Sequence, residues 1–235
     1  MQKVIALLSA LVVCTAISTR ADILAQWTFE LSPPADLTDS TTISGIAADL
    51  GSGTASGVHA GTLSDWSTPA GNGSPNSLSV NTWAVGDYFQ FQVSTIGFTG
   101  IGVSYDQTSS STGPRDFNFT YSTDGSTFTT FSSYTVLQNG GAPNSAWNGT
   151  TSSSAYSYSF DLSSVTAIDN QATVFFRLVN SSTINVTGTN VVAAGGTDRV
   201  DNFSVFSPVP VPEPSTMVLG VLGGFAAFAV LRRKR

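Results

Sequence analysis

Cysteine and histidine are almost missing from this chain: each occurs once in 235 residues, as Cys14 and His59. A disulfide needs two thiols, so the fold must stand without one, and thiolate metal sites are excluded as well. A Ser-His-Asp relay would have to be built on His59 alone, and no Gly-x-Ser-x-Gly elbow accompanies it. Lysine is missing from residues 22–211, which hold fourteen carboxylates against Arg115, Arg177 and Arg199, a net charge near −11. Such a surface repels phosphate backbones, so nucleic acid is not an expected partner. Amphipathic helical stretches and fixed-period repeats are lacking too, which excludes bundles, solenoids and propellers.

What is present is hydroxyl-rich. Ser and Thr make up 63 of the 235 residues, a composition poor in helix formers and suited to strands and turns. The segment DILAQWTFE alternates Ile23, Ala25, Trp27 and Phe29, which predicts a first strand. Residues 31–76 hold only short apolar pieces among Gly, Pro, Asp and Asn, and read as long loops with one or two edge strands. Beyond Asn76 the period-two pattern is dense: SLSV, DYFQFQV, IGVSYD, DFNFTYS, STFTTF, SYTVL, AYSYSFDL, TVFFRLVN and RVDNFSVF. About ten strands with Asp124-Gly125 at one hairpin predict an all-β body, a single jelly-roll-like β-sandwich over residues 22–207.

The two ends read as addresses. Residues 1–21 carry Lys3, an apolar stretch and then small and polar residues, the layout of a secretory signal peptide cleaved after Ala21. Val13 stands before Cys14 where a lipoprotein signal wants a small residue, which argues against acylation. Pro208, Pro210, Pro212 and Pro214 make residues 208–215 an extended linker. Residues 216–231 are uncharged and, as a helix, about 24 Å long, enough for a transmembrane helix with some local thinning. The cations Arg232, Arg233, Lys234 and Arg235 then set the topology, with residues 232–235 cytoplasmic and the body outside.

Pro212-Glu213-Pro214, a glycine-rich apolar span and a terminal RRKR together resemble the PEP-CTERM sorting signal of exosortase substrates in Gram-negative bacteria. The resemblance implies a membrane-embedded cysteine transpeptidase as partner, with processing near Pro212-Glu213-Pro214 and a transient stay at the inner membrane. It also implies a cell-surface or extracellular destination linked to exopolysaccharide and biofilm. NSLSVNTWAVGDYFQF, GPRDFNFTYSTDGSTF, VFFRLVN and DRVDNFSV are similar to β-sandwich modules of bacterial surface proteins and secreted nucleases, which implies fold and extracellular setting only.

The reading that follows is a non-catalytic structural or adhesive protein. Two alternatives stay open. A glycan-binding module would use Trp66, Trp83 and Trp147, which lie in or beside loops, because sugars stack on exposed indoles. A carboxylate-dependent hydrolase would need two acids at a suitable separation. Asp198 and Asp201, with Asn202, are the candidate oxygen ligands for a structural Ca²⁺. His59, between Gly57 and Gly61, reads as a surface loop residue.

Overall fold

The computed structural model describes residues 21–210. The expected signal peptide up to Arg20, Pro212-Glu213-Pro214, the apolar span and Arg232 to Arg235 lie outside the described residues. Within them, no helix is long and apolar enough to cross a membrane.

The strands in chain order are β1 (Asp22–Trp27), β2 (Thr42–Ala47), β3 (Leu50–Gly51), β4 (Gly53–Val58), β5 (Trp66–Ser67), β6 (Leu78–Val80), β7 (Tyr88–Val93) and β8 (Phe98–Thr99). They continue with β9 (Gly102–Ser109), β10 (Asp116–Ser122), β11 (Thr129–Thr135), β12 (Leu137–Gln138), β13 (Ser157–Asp161), β14 (Val174–Asn180), β15 (Asp198–Ser207) and β16 (Val209–Pro210). One sheet of eight strands runs β12-β9-β15-β1-β3, with β13 also on β9, β6 on β15 and β5 on β6. The second, of six, runs β11-β10-β14-β7-β4-β2. The body is therefore all-β and sandwich-like. The β16–β8 ribbon pairs Val209 with Thr99 and Pro210 with Phe98, so backbone pairing continues into the proline-rich stretch.

Alternation explains most of the second sheet: Phe89, Phe91 and Val93 on β7 and Val174, Phe176 and Leu178 on β14 are buried, and their neighbours face out. Two expectations are corrected. β1 carries a bulge between Ile23 and Ala25, which moves Ile23 out of the predicted inward row and leaves it 43 % exposed. Residues 31–76 contain β2 to β5, and β4 is an interior strand between β7 and β2. Its inward positions are Gly53, Ala55 and Gly57, and indoles lie against both glycines. A Cβ on Gly57 would fall 2.2 Å from Trp66 Cη2, and one on Gly53 2.7 Å from Trp27 Cη2.

The Asp124-Gly125 hairpin joins β10 and β11 with Gly125 at φ +71°, but through a six-residue loop rather than a two-residue turn. Asp124 Oδ1 accepts from the backbone N–H groups of Ser126 and Thr127. STFTTF and SYTVL contribute to one strand, β11, with β12 following.

Aromatic rings join the two sheets. Phe91 of β7 stacks on Phe203 of β15 with centroids 3.5 Å apart and planes 5° from parallel. Trp27 of β1 meets both edge-on, at 5.2 and 6.0 Å, and donates its indole N–H to the Ile46 carbonyl. Phe203→Ala should therefore lower stability by about 3–5 kcal/mol. Urea unfolding should show a lower midpoint at unchanged slope.

Candidate functional site

The structure places every tryptophan of the body inside. Trp66, Trp83 and Trp147 are 1 %, 7 % and 6 % exposed, so the expectation of indoles offered to a glycan is corrected. Trp66 donates its N–H to the Ser40 carbonyl and Trp83 to that of Val80. His59 is likewise no surface residue. It is buried with its ring centroid 4.3 Å from Trp83 and 5.0 Å from Trp66. Short strands and bends fold these loop-like segments back onto the core, which hydropathy alone does not reveal.

Ser64 and Asp87 also surround His59, yet the three make no catalytic relay. Ser64 Oγ lies 3.2 Å and Asp87 Oδ2 3.5 Å from the same nitrogen, Nδ1, while Nε2 has no hydrogen-bond partner. A relay needs hydroxyl and carboxylate on opposite nitrogens. Asp87 is instead a backbone strut, accepting from the N–H groups of Ala60 and Ala84.

Asp198 and Asp201 are consumed internally. Asp198 Oδ1 accepts from Gln107 Nε2 and Oδ2 from Ser109 Oγ, both at 2.8 Å, and burial pushes its carboxyl well above the ordinary range. Asp201 accepts from Asn72 N, Ser74 Oγ and Asn202 N, tying the 71–76 loop to β15, and burial pushes it up to about 6. Among the described residues no group of three or more His, Cys, Asp or Glu side chains is placed to hold a metal ion.

The outer face of the eight-stranded sheet carries accessible polar chemistry in a cleft. Register sets Gln26, Ser204, Ser104 and Ser159 in one straight row across β1, β15, β9 and β13. At ~4.8 Å per strand the row spans about 14 Å. It floors a cleft of about 320 Å³ that Asp106, Ser157 and Asn202 also line. A bulge between Asp201 and Ser204, with Asn202 at φ +51°, accompanies the turn of Asn202 toward Asp106. There its side-chain amide donates to Asp106 Oδ2 at 2.9 Å, while Ser157 Oγ donates to Oδ1.

Ser159 also lines a second cleft of about 320 Å³, with Gly102, Asp161, Phe206 and Pro208. The half-buried Phe206 ring lies over Gly102, where a Cβ would fall 2.5 Å from it. Hydroxyls, amides and one ring are thus continuous over neighbouring strands, an arrangement able to hydrogen-bond and pack against a polyol. No acid–base pair accompanies them. Both oxygens of Asp106 are engaged, and the Ser163 N–H holds Asp161 below the usual carboxylate range. The carboxyls with raised pKa, Asp198 and Asp201, line neither cleft.

His59 carries a pH signature. Burial lowers its imidazole from 6.5 to about 4 against the pull of Asp87. The unfolded chain therefore takes up this proton first, so the contribution is complete above about pH 6.5 and is lost as pH falls toward 4, on the order of 3 kcal/mol. Asp201, raised to about 6, acts oppositely: its contribution is lost as pH rises through 6. Urea midpoints of wild type and His59→Gln at about pH 7 and pH 4.5 cancel the Asp201 term. The wild type should lose more stability than the variant on acidification.

Comparison with known proteins places residues 210–235 in the family described as "PEP-CTERM protein-sorting motif". No curated protein matches the chain. Solved structures similar to it include a family 35 carbohydrate-binding module from Clostridium thermocellum, at 17 % identity over 74 % of this chain and 98 % of that one, TM-score 0.37. The K3 adhesin domain of Lys-gingipain from Porphyromonas gingivalis is similar at 11 % identity over 78 % and 98 %, TM-score 0.40. A carbohydrate-binding module solved with β-1,4-galactotriose is similar at 11 % identity over 77 % and 94 %, TM-score 0.33. The chain thus carries a PEP-CTERM sorting motif, which implies an exported protein, membrane-anchored during sorting and processed by an exosortase.

Proposed function

We propose that this protein is a non-catalytic structural or adhesive component of the cell surface or extracellular matrix, in a setting of exopolysaccharide and biofilm. The observation that carries the reading is a sorting motif at residues 210–235 following a β-sandwich whose two clefts described above hold no acid–base pair. In this reading residues 1–21 are a signal peptide, the body is jelly-roll-like, and residues 216–231 hold it at the inner membrane with Arg232, Arg233, Lys234 and Arg235 inside. Processing near Pro212-Glu213-Pro214 then delivers it. The intact mass of the surface-exposed protein tests this: the mature species should lack Arg232 to Arg235 in a host with an active exosortase. A mature protein that keeps them replaces sorting with a plain membrane anchor.

The second reading, a glycan-binding module, is favoured by the row Gln26, Ser204, Ser104 and Ser159 leading to Phe206. Its contacts move from the tryptophans, whose truncation would damage the core, to this outer face. Affinity electrophoresis against neutral polysaccharides should show retardation that Phe206→Ala and Ser104→Val weaken at least fivefold. No retardation by any polymer would leave the structural reading alone.

A further inference from the structure

The acids are divided unequally between the two sheets. Strands of the eight-stranded sheet contain Asp22, Asp106, Asp161, Asp198 and Asp201, whereas those of the six-stranded sheet contain only Asp116. Asp116 is already paired, with Arg115 Nε and Nη2 at 2.8 and 3.0 Å from its two oxygens. In the adjoining β10–β11 loop, Asp124 accepts from Ser122, Ser126 and Thr127 through Oδ1 and keeps its charge. The strands of the six-stranded sheet themselves therefore present no unpaired carboxylate, on a body whose net charge is strongly negative.

Arg177 of β14 stands on that face. Its guanidinium carbon lies 3.9 Å from the Tyr88 ring centroid and 3.6 Å from that of Phe128, while Nε donates to Gln90 Oε1 at 2.8 Å. The two rings and Gln90 thus fix the guanidinium. Nη1 and Nη2 make no hydrogen bond to any described residue, and neither is a buried orphan, so the open end of the fork reaches solvent. Of the other arginines in the body, Arg115 pairs with Asp116 and Arg199 feels the neighbouring Asp198. Arg177 has no carboxylate partner among the described residues.

Register extends the site. Ser56, Gln90, Arg177 and Thr120 form one row across β4, β7, β14 and β10. Thr120, directly opposite Arg177 and 6 % exposed, has a side-chain hydroxyl with no hydrogen-bond partner. The row continues through Gln90 Nε2, which reaches Ser56 Oγ at 3.4 Å. A guanidinium fork held flat beside amides and hydroxyls matches a carboxylate carried on a hydroxyl-rich polymer. β14 is an interior strand with both neighbours in place, so no free backbone edge is offered there to an extended peptide.

We propose that the outer face of the six-stranded sheet binds the carboxylate of an acidic, uronate-containing polysaccharide through Arg177, held in place by Phe128, Tyr88 and Gln90. This goes beyond the proposed surface role and does not depend on the clefts of the opposite sheet.

The test is affinity electrophoresis of the full-length protein in neutral detergent with polygalacturonate in the gel. Fully methyl-esterified polygalacturonate, dextran sulfate and polyglutamate serve as comparison polymers. Polygalacturonate should retard the wild type, and the esterified polymer should not. Arg177→Gln should weaken binding at least tenfold, and Arg177→Lys, which keeps charge but not the fork, by an intermediate factor. Gln90→Glu puts a carboxylate on the guanidinium from within, so it should block binding while keeping the wild-type unfolding midpoint or raising it. Phe206→Ala, on the other sheet, should leave polygalacturonate binding unchanged, which separates this site from the neutral-glycan reading. The proposal is overturned if the wild type ignores polygalacturonate, or if folded Gln90→Glu binds like wild type. It is also overturned if dextran sulfate or polyglutamate binds as well as polygalacturonate, since either would mean general anion or acidic-peptide recognition.

Discussion

The contact between Phe91 and Phe203, with Trp27 edge-on to both, is the constraint on which the rest of the structure depends. With charged residues at only 10 % of the chain and no disulfide available, burial of large rings is the main term left to offset chain entropy. Two consequences spread from it. Where an indole lies against β4, at Gly53 and Gly57, glycine is required, because a Cβ would collide with Trp27 or Trp66. The surface, in turn, is mostly Ser, Thr, Asn and Gln, with Tyr88, Phe128 and Phe206 as partly exposed rings outside the core.

The same constraint separates what was readable in the sequence from what was not. β7, β10 and β14 are legible because large apolar residues alternate with polar ones, and the sheet faces follow from that period. β4 is illegible by the same rule: its inward residues are small because of partners distant in sequence, and a Gly/Ala alternation looks like a loop. Trp66, Trp83 and His59 fail for the matching reason. They sit among Gly, Ser and Asp, yet the space they fill is created by Gly57 and by Phe89 on other strands. An alternation of Gly and Ala in a chain rich in tryptophan and phenylalanine is the signal that could have placed both. The outward row Ser104, Ser159 and Ser204 was present in the strand patterns, but only register shows that the three serines stand side by side.

Register also explains why the two faces differ in charge. On β9 and β15, Asp106, Asp198 and Asp201 are used to tie loops and a bulge, and each is surrounded by Ser, Asn or Gln donors. These are structural uses that a body without lysine between residues 22 and 211 satisfies with neutral donors. The six-stranded sheet has two register shifts, at Phe119/Thr120 and at Ile43/Ile46, neither involving a carboxylate. Its one strand carboxylate, Asp116, is held by Arg115 and Ser182, which leaves Arg177 without a carboxylate partner among the described residues.

Asp22 pairs with Ser207, so the first and last strands of the sandwich meet at one pole. The β16–β8 ribbon then carries pairing to Pro210, two residues before Pro212, a reach of at most about 7 Å at ~3.5 Å per residue. Whatever acts at Pro212-Glu213-Pro214 must therefore work close against that pole, or the two-residue ribbon must open first.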